Sequence, residues 1–198
     1  NTVHLKFVDE QGWRDVRAAN VVIATGTSAT KSDRIPFDGK RIFISDDILK
    51  LDHLPRTLAV VGAGVIGLEY ASIFSALGVR VTIIDKRRRL LPFVDAEIID
   101  SLVYHLNQQR VIMRLGEEVD SIEPVNDEQG ERVKINLVSG KQIITEMALY
   151  SIGRTGATHS LNIESVNLQT DERGLLKVNE RFQTNVPNIY GVGDVIGF

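Results

Sequence analysis

A chain of 198 residues, 43% hydrophobic and 25% charged, is long enough to bury a core and too apolar to stay disordered, so one or two globular domains are expected. Its net charge of -3 argues against a nucleic-acid-binding surface and points to small molecules or a second copy of itself as partners. The absence of cysteine excludes disulfides, thiolate nucleophiles and Cys-ligated zinc within these residues, and His4, His53, His105 and His159 are too scattered to suggest a metal site.

No apolar run approaches a bilayer span and no signal-peptide pattern opens the sequence, so no membrane contact and a cytoplasmic location are expected. The chain starts at Asn1 inside an alternating pattern and stops at Ile196-Gly197-Phe198, which suggests a piece of a longer protein. Strand-like residues run from Thr2 to Val8, then a turn at Glu10 to Gly12, then a second strand from Trp13 to Ala24 ending in the apolar run Val21-Val22-Ile23-Ala24 before Thr25-Gly26. A polar loop, Thr27 to Lys40, is placed at a domain crossing. Ser45-Asp46-Asp47 is an N-cap cluster for a brief helix through Leu51, closed by Pro55.

Next come a strand (Thr57 to Val61), a helix (Ala63 to Leu77) and a strand (Arg80 to Ile84), an alternation that implies a parallel sheet with a right-handed crossover. The helix is expected to bury Ile66, Tyr70, Ile73, Phe74 and Leu77. Asp95 caps a second helix to about Gln109 with Ile98, Ile99, Leu102, Val103 and Leu106 on one face, and Val111-Ile112-Met113 reads as a further strand. From Glu117 to Tyr150 the pattern becomes an antiparallel meander with turns at Asn126 to Gly130 and Ser139-Gly140, and from Leu168 onward short strands are expected.

The chemistry is carried by Gly62-Ala63-Gly64-Val65-Ile66-Gly67. A lone G-x-G-x-x-G is weak, but this one follows an apolar strand and opens a helix, which is the dinucleotide-binding context. Gly62 makes the tight turn, Gly64 leaves room for a pyrophosphate against the backbone, and Gly67 allows close helix-strand packing. The unpaired amides and positive dipole end of the helix would meet that anion. Asp85, at the end of the second strand and about 20 residues on, is placed to hydrogen-bond the adenosine ribose. A packing turn in another α/β protein would also use these glycines. Lys86-Arg87-Arg88-Arg89 follows, either a solvated run at a strand exit or a seat for a 2′-phosphate, with Lys86 and Arg87 the favoured contacts because they lie nearest the strand end. The choice between NAD and NADP stays open on these residues.

With those residues placed, the chain resembles the pyridine nucleotide-disulfide oxidoreductase family. Val22-Ile23-Ala24-Thr25-Gly26 is similar to its ATG segment, Ile152-Gly153-Arg154 to its G-R motif, and Thr184 through Asp194 to its second flavin motif. The resemblance implies NAD(P) contacts at Gly62, Ala63, Gly64, Val65, Ile66, Gly67, Glu69, Asp85, Lys86, Arg87 and Gly153, and FAD contacts at Thr25, Gly26, Gly193 and Asp194, with no catalytic side chain of its own among them. Glu69 matches a position near the nicotinamide, and it is also an acidic residue favoured early in a helix. Departures are Thr27-Ser28-Ala29-Thr30 where a Pro is common, and Val65 where glutathione reductases place Tyr.

Gly64 through Phe74, Arg87 to Leu91, and Gly153-Arg154-Thr155-Gly156 resemble the family's transhydrogenase branch, which passes hydride between the two nicotinamide nucleotides through FAD. The alternatives are a disulfide reductase of lipoamide dehydrogenase, glutathione or mercuric type, whose cysteines would precede this chain, and a nucleotide-binding module without activity. The implied fold is α/β: a Rossmann-like domain with a parallel sheet and an antiparallel meander, plus partial FAD-domain strands at both ends. The expected divisions are 1–44 for the first FAD-domain segment and crossover, 45–156 for the NAD(P)-binding domain and 157–198 for the second FAD-domain segment, in a protein that forms a homodimer when complete.

Overall fold

The computed structural model describes residues 2–6, 12–128 and 130–197. Two compact units emerge, one of residues 1–28 with 154–198 and one of residues 29–153.

In the first unit β1 (Thr2–Lys6) pairs antiparallel with β2 (Trp13–Arg17). The end of the expected first strand, and most of the turn after it, lie outside the described residues. The expected single strand from Trp13 to Ala24 is two, because β2 pairs with β1 whereas β3 (Val21–Ile23) pairs with a strand near the other end of the chain. A short β4 (Thr27–Ala29) follows within the stretch expected to be loop.

The second unit is built on β5 (Ile42–Ile44), β6 (Thr57–Val61), α1 (Val65–Ala76), β7 (Arg80–Asp85), α2 (Ala96–Gln108) and β8 (Ile112–Leu115). After them come β9 (Val119–Asp127), β10 (Gly130–Leu137), β11 (Gln142–Thr145) and β12 (Met147–Tyr150). Five of these strands form one all-parallel sheet in the order β5-β12-β6-β7-β8, while β9, β10 and β11 form the antiparallel meander. Thus the last segment before Ser151 leaves the meander and enters the parallel sheet.

Side chains alternate across that sheet. Leu58, Val60, Val81, Ile83 and Leu149 pack with Leu68, Ala71 and Phe74 of α1 and Ile99 and Leu106 of α2. Ala59, Val61, Ile84, Ala148 and Tyr150 pack with Ile122, Val133, Ile135 and Leu137 of the meander. Both faces are therefore covered, as an all-parallel sheet requires.

Three helical segments depart in part from expectation. Residues 48–50 form one turn of 3-10 helix whose preceding Asp47 makes no side-chain cap. In α1 the buried face is Gly67, Leu68, Ala71, Phe74 and Ser75, while Ile73 and Leu77 are exposed and Ile66 and Tyr70 are half-buried. Small residues win the inner face because they let the helix approach the sheet closely. In α2 Asp95 caps as expected, accepting the Glu97 amide at 2.9 Å, but Ile98 is exposed.

The first unit resumes with β13 (Arg154–Gly156), which pairs with β4, and β14 (Ile189–Gly191), parallel to β3. Ahead of the tail lie 3-10 turns at His159–Leu161 and Ile163–Val166; from Leu168 onward, where short strands are expected, β14 is joined by isolated bridges between Thr170 and Leu176 and between Gln183 and Tyr190 and by a 3-10 turn at Gly193–Ile196.

Candidate nucleotide site

Sheet topology selects the place first. From β6 the chain goes through α1 to β7 on one side, while β12 on the other side of β6 is reached later through the meander, so the strand order reverses beside β6. Ligands of open parallel sheets bind beyond the carboxyl ends of the strands at such a reversal.

The glycine turn lies there. Gly62 has φ +104°, a region only glycine enters freely, and its amide donates to Ile84 O at 2.8 Å. A side chain on Gly62 would strike the carbonyl of Ser151, just after β12, and one on Gly67 would strike the carbonyl of Gly62. Gly64 differs from both: a Cβ there meets nothing within 4 Å. It is the N-cap of α1, and no side chain caps the helix. The sequence places at this end neither the Ser, Thr, Asp or Asn that would satisfy the amides nor a bulky group that would screen them.

Asp85 closes the turn from β7. Only 7% exposed, it accepts the Ala63 amide at Oδ2, 2.6 Å, and the Arg87 amide at Oδ1, 2.8 Å. The Arg87 guanidinium adds Nε to Oδ1 at 2.9 Å and Nη2 to Oδ2 at 2.6 Å, a bidentate ion pair. Burial alone would push the Asp85 carboxyl up, but the Arg87 side chain together with the Ala63 and Arg87 amides holds it below the usual carboxylate range. The same pair raises Arg87.

Lys86 is exposed at the strand exit, and Gly153, with φ +142°, accepts the Thr30 amide just past β12. Val65 and Glu69 line a shallow groove of about 600 Å³ along α1 with Tyr70, Ile73, Leu91 and Leu102. Ile66 is half-buried on the same helix. The structure thus brings Gly62, Ala63, Gly64, Asp85 and Arg87 into direct contact or adjacency and sets Glu69 one turn further along. Sequence reasoning missed the bond from Ala63 to Asp85 and the grip of Arg87 on the same carboxylate. The two-residue spacing of Asp85 and Arg87 at a strand exit was the available signal.

In the first unit the Thr25 hydroxyl donates to Ala157 O at 3.0 Å, and Gly26, with φ +69°, accepts the Ala157 amide at 3.0 Å. Arg154 holds the next residue, donating from Nε to Thr27 Oγ1 and from Nη2 to Thr27 O, each at 2.7 Å. Gly193 and the exposed Asp194 open the turn after β14.

Known proteins resemble this chain in sequence and fold. The profile described as pyridine nucleotide-disulphide oxidoreductase matches residues 1–197. The soluble pyridine nucleotide transhydrogenase of Serratia proteamaculans is 47% identical across 100% of this chain, and that of Chromohalobacter salexigens is 49% identical across 96%. This chain spans 42% and 40% of those two proteins. Among solved structures, the Cu(II) complex of the HOCl-induced flavoprotein disulfide reductase RclA of Escherichia coli superposes with a TM-score of 0.88 at 28% identity, covering 100% of this chain and 43% of that one. LpdA of Mycobacterium tuberculosis gives 0.84 at 29% identity, covering 94% of this chain and 40% of that one.

Proposed function

The chain belongs to the pyridine nucleotide-disulphide oxidoreductase family, and from that premise we propose that it is the NAD(P)(H)-binding portion of an enzyme that passes hydride between NADPH or NADH and NAD or NADP through FAD. The observation that carries the nucleotide reading is the uncapped start of α1 beside open space at Gly64, with a buried carboxylate on the neighbouring Ala63 amide. A pyrophosphate fits that place, because the amides of Val65, Ile66 and Gly67 begin the helix at its positive end and no side chain competes for them.

In this reading Gly62 and Gly67 shape the turn, Gly64 admits the diphosphate, Asp85 receives the adenosine ribose, and Lys86 and Arg87 supply charge beside it. Glu69 and Val65, on the groove side of α1, lie toward the nicotinamide end, and Gly153 borders the same strand ends. Thr25, Gly26, Gly193 and Asp194 would serve FAD, and the complete protein would be a homodimer. When bound, the nicotinamide and flavin rings supply the hydride chemistry. The chain's own residues then contribute binding and orientation, which is what glycines, amides and one carboxylate are suited to do.

The high identity to proteins named transhydrogenase favours that activity, and the likeness to structures named disulfide reductase keeps the second reading in view. The two separate in one assay: the full protein is given NADPH and a thionicotinamide analogue of NAD, with no disulfide present. Reduction of the analogue is expected. Turnover only after a disulfide is added would favour the reductase, and failure to bind either nucleotide would remove the proposal.

A further inference from the structure

The carboxyl end of β12 carries two polar groups that nothing in the fold uses. Tyr150 pairs with Val61 of β6, the residue before Gly62, and its ring is only 7% exposed on the meander face of the sheet. Phe37 stands edge-on to it with ring centroids 5.5 Å apart, and the Lys31 ammonium lies 5.9 Å from the centre of the Phe37 ring, within cation–π range. Thr30, just before Lys31, donates its amide to Gly153 O at 3.0 Å, which ties this end of the loop to the end of β12. Among the described residues no carboxylate pairs with Lys31 and no acceptor or donor meets the Tyr150 hydroxyl. That hydroxyl is not sealed in the core, because no buried side-chain polar atom lacks a partner among the described residues.

We propose that Lys31 and Tyr150 form a second wall of the nucleotide site on the meander side, the ammonium pairing with the phosphate nearer the nicotinamide and the hydroxyl donating to the ribose attached to it. This rests on the nucleotide-binding reading above. The start of α1 faces the ligand from the other side of the sheet, and it offers only about half a positive charge against the two negative charges of a diphosphate. Lys86 and Arg87 follow β7, on the opposite side of β6 from β12, so they serve the adenosine end. The nicotinamide half lies over the ends of β6 and β12, where Lys31 is the cation at hand. A ring seat suits that task, because an aromatic face holds an ammonium in place without neutralising it, so its charge stays available to a phosphate.

The experiment is calorimetric titration of the full chain with a ladder of ligands: AMP, ADP, ADP-ribose and NADH. Lys31→Gln is expected to weaken ADP, ADP-ribose and NADH about tenfold, the size of one charge-assisted hydrogen bond, and to leave AMP within about twofold. Tyr150→Phe keeps the ring and removes only the hydroxyl, so ADP-ribose and NADH should weaken about threefold while ADP and AMP hold. Lys31→Arg keeps the charge and should bind all four within about threefold of the unmodified chain. Lys31 is exposed, so its variants should fold and carry the comparison if Tyr150→Phe does not. Equal weakening of AMP by Lys31→Gln, or no weakening of NADH, would overturn the second wall while leaving the nucleotide site in place. Binding of none of the four ligands by the unmodified chain would instead overturn the nucleotide reading and the wall with it.

Discussion

The two units stabilise themselves by different means. In residues 29–153 a five-stranded parallel sheet is sandwiched between helices and a meander, and Leu58, Ala59, Val60, Ile83 and Leu149 reach 0% exposure. In residues 1–28 with 154–198 the described strands pair only two at a time, and the buried hydrophobic residues among those described are Ile163, Leu176, Ile189 and Val195, while Trp13 and Val22 stand 68% and 61% exposed. The same chain therefore holds one region made rigid by layered packing and another made of turns tied by backbone hydrogen bonds. The anion site proposed at the start of α1 would need the first kind of support, because amides must hold their direction without a ligand.

The sharpest way to break that comparison is to make the same steric error in both regions. Gly67→Ala drives a methyl into the carbonyl of Gly62, a residue bonded through its amide to Ile84 and set close against Ser151. Nothing there can yield, and a loss above about 3 kcal/mol is expected. Gly156→Ala drives a methyl into the carbonyl of Gly174, whose carbon would be 2.6 Å away, but Gly174 sits in a half-exposed turn able to shift. A cost of about 1–3 kcal/mol is expected there. Urea unfolding followed by circular dichroism measures both, and equal losses would refute the difference in rigidity.

Cavities give the next effect in size. Leu149→Ala empties a site enclosed by β-strands and helices and should cost about 2–5 kcal/mol, whereas Leu176→Ala, beside the turn at Gly191, should fall at the low end because its neighbours can collapse. Hydrogen exchange should follow the same order, slowest in β6, β7 and β12 and faster in β3 and β14.

A smaller effect follows from charge. Because the folded Asp85 carboxyl lies below its ordinary value of 3.8, its contribution to stability is fully present above that value and is lost as the pH falls through the folded one. Unfolding midpoints measured from pH 6 downward should therefore drop below about pH 4. Asp85→Asn should flatten that acid limb and cost about 1–3 kcal/mol at neutral pH through loss of the charge-assisted bonds. An unchanged acid limb in the variant would mean that Arg87 and the Ala63 amide do not stabilise the charge.

How far the sequence could be read tracks how local each signal is. The strand from Thr57 to Val61 appears with the expected ends, and the Asp95 cap does too, because a bounded apolar run and a capping carboxylate are decided by neighbours in the chain. The two-stranded ladder of β3 and β14 joins residues more than 160 positions apart, and no local pattern announces it. The tail after Leu168 carries apolar residues at strand-like intervals, yet among its described residues only Ile189–Gly191 forms a strand and many of its other backbone bonds close turns. At the site, the tight turn at Gly62 and the close packing at Gly67 were legible from the motif, whereas the ion pair of Asp85 with Arg87 had only its two-residue spacing to suggest it, within a basic run that offered other cations.

Helix α1 marks the limit of periodicity, and it supplies the smallest prediction. Apolar residues surround it, Ile66, Leu68, Ile73, Phe74 and Leu77 among them, so no stripe defines an inner face. What chooses the face is distance: Gly67 and Ala71 bring the helix down onto the sheet, and the larger Ile73 is turned outward to 51% exposure. Ile73→Ser should then shift stability by no more than about 0.5 kcal/mol, the range of an exposed position, while Ala71→Leu on the opposite face should cost about 1–3 kcal/mol by overpacking. A reversed order would mean that the apolar pattern, rather than close approach through small side chains, decides which side of the nucleotide-site helix meets the sheet.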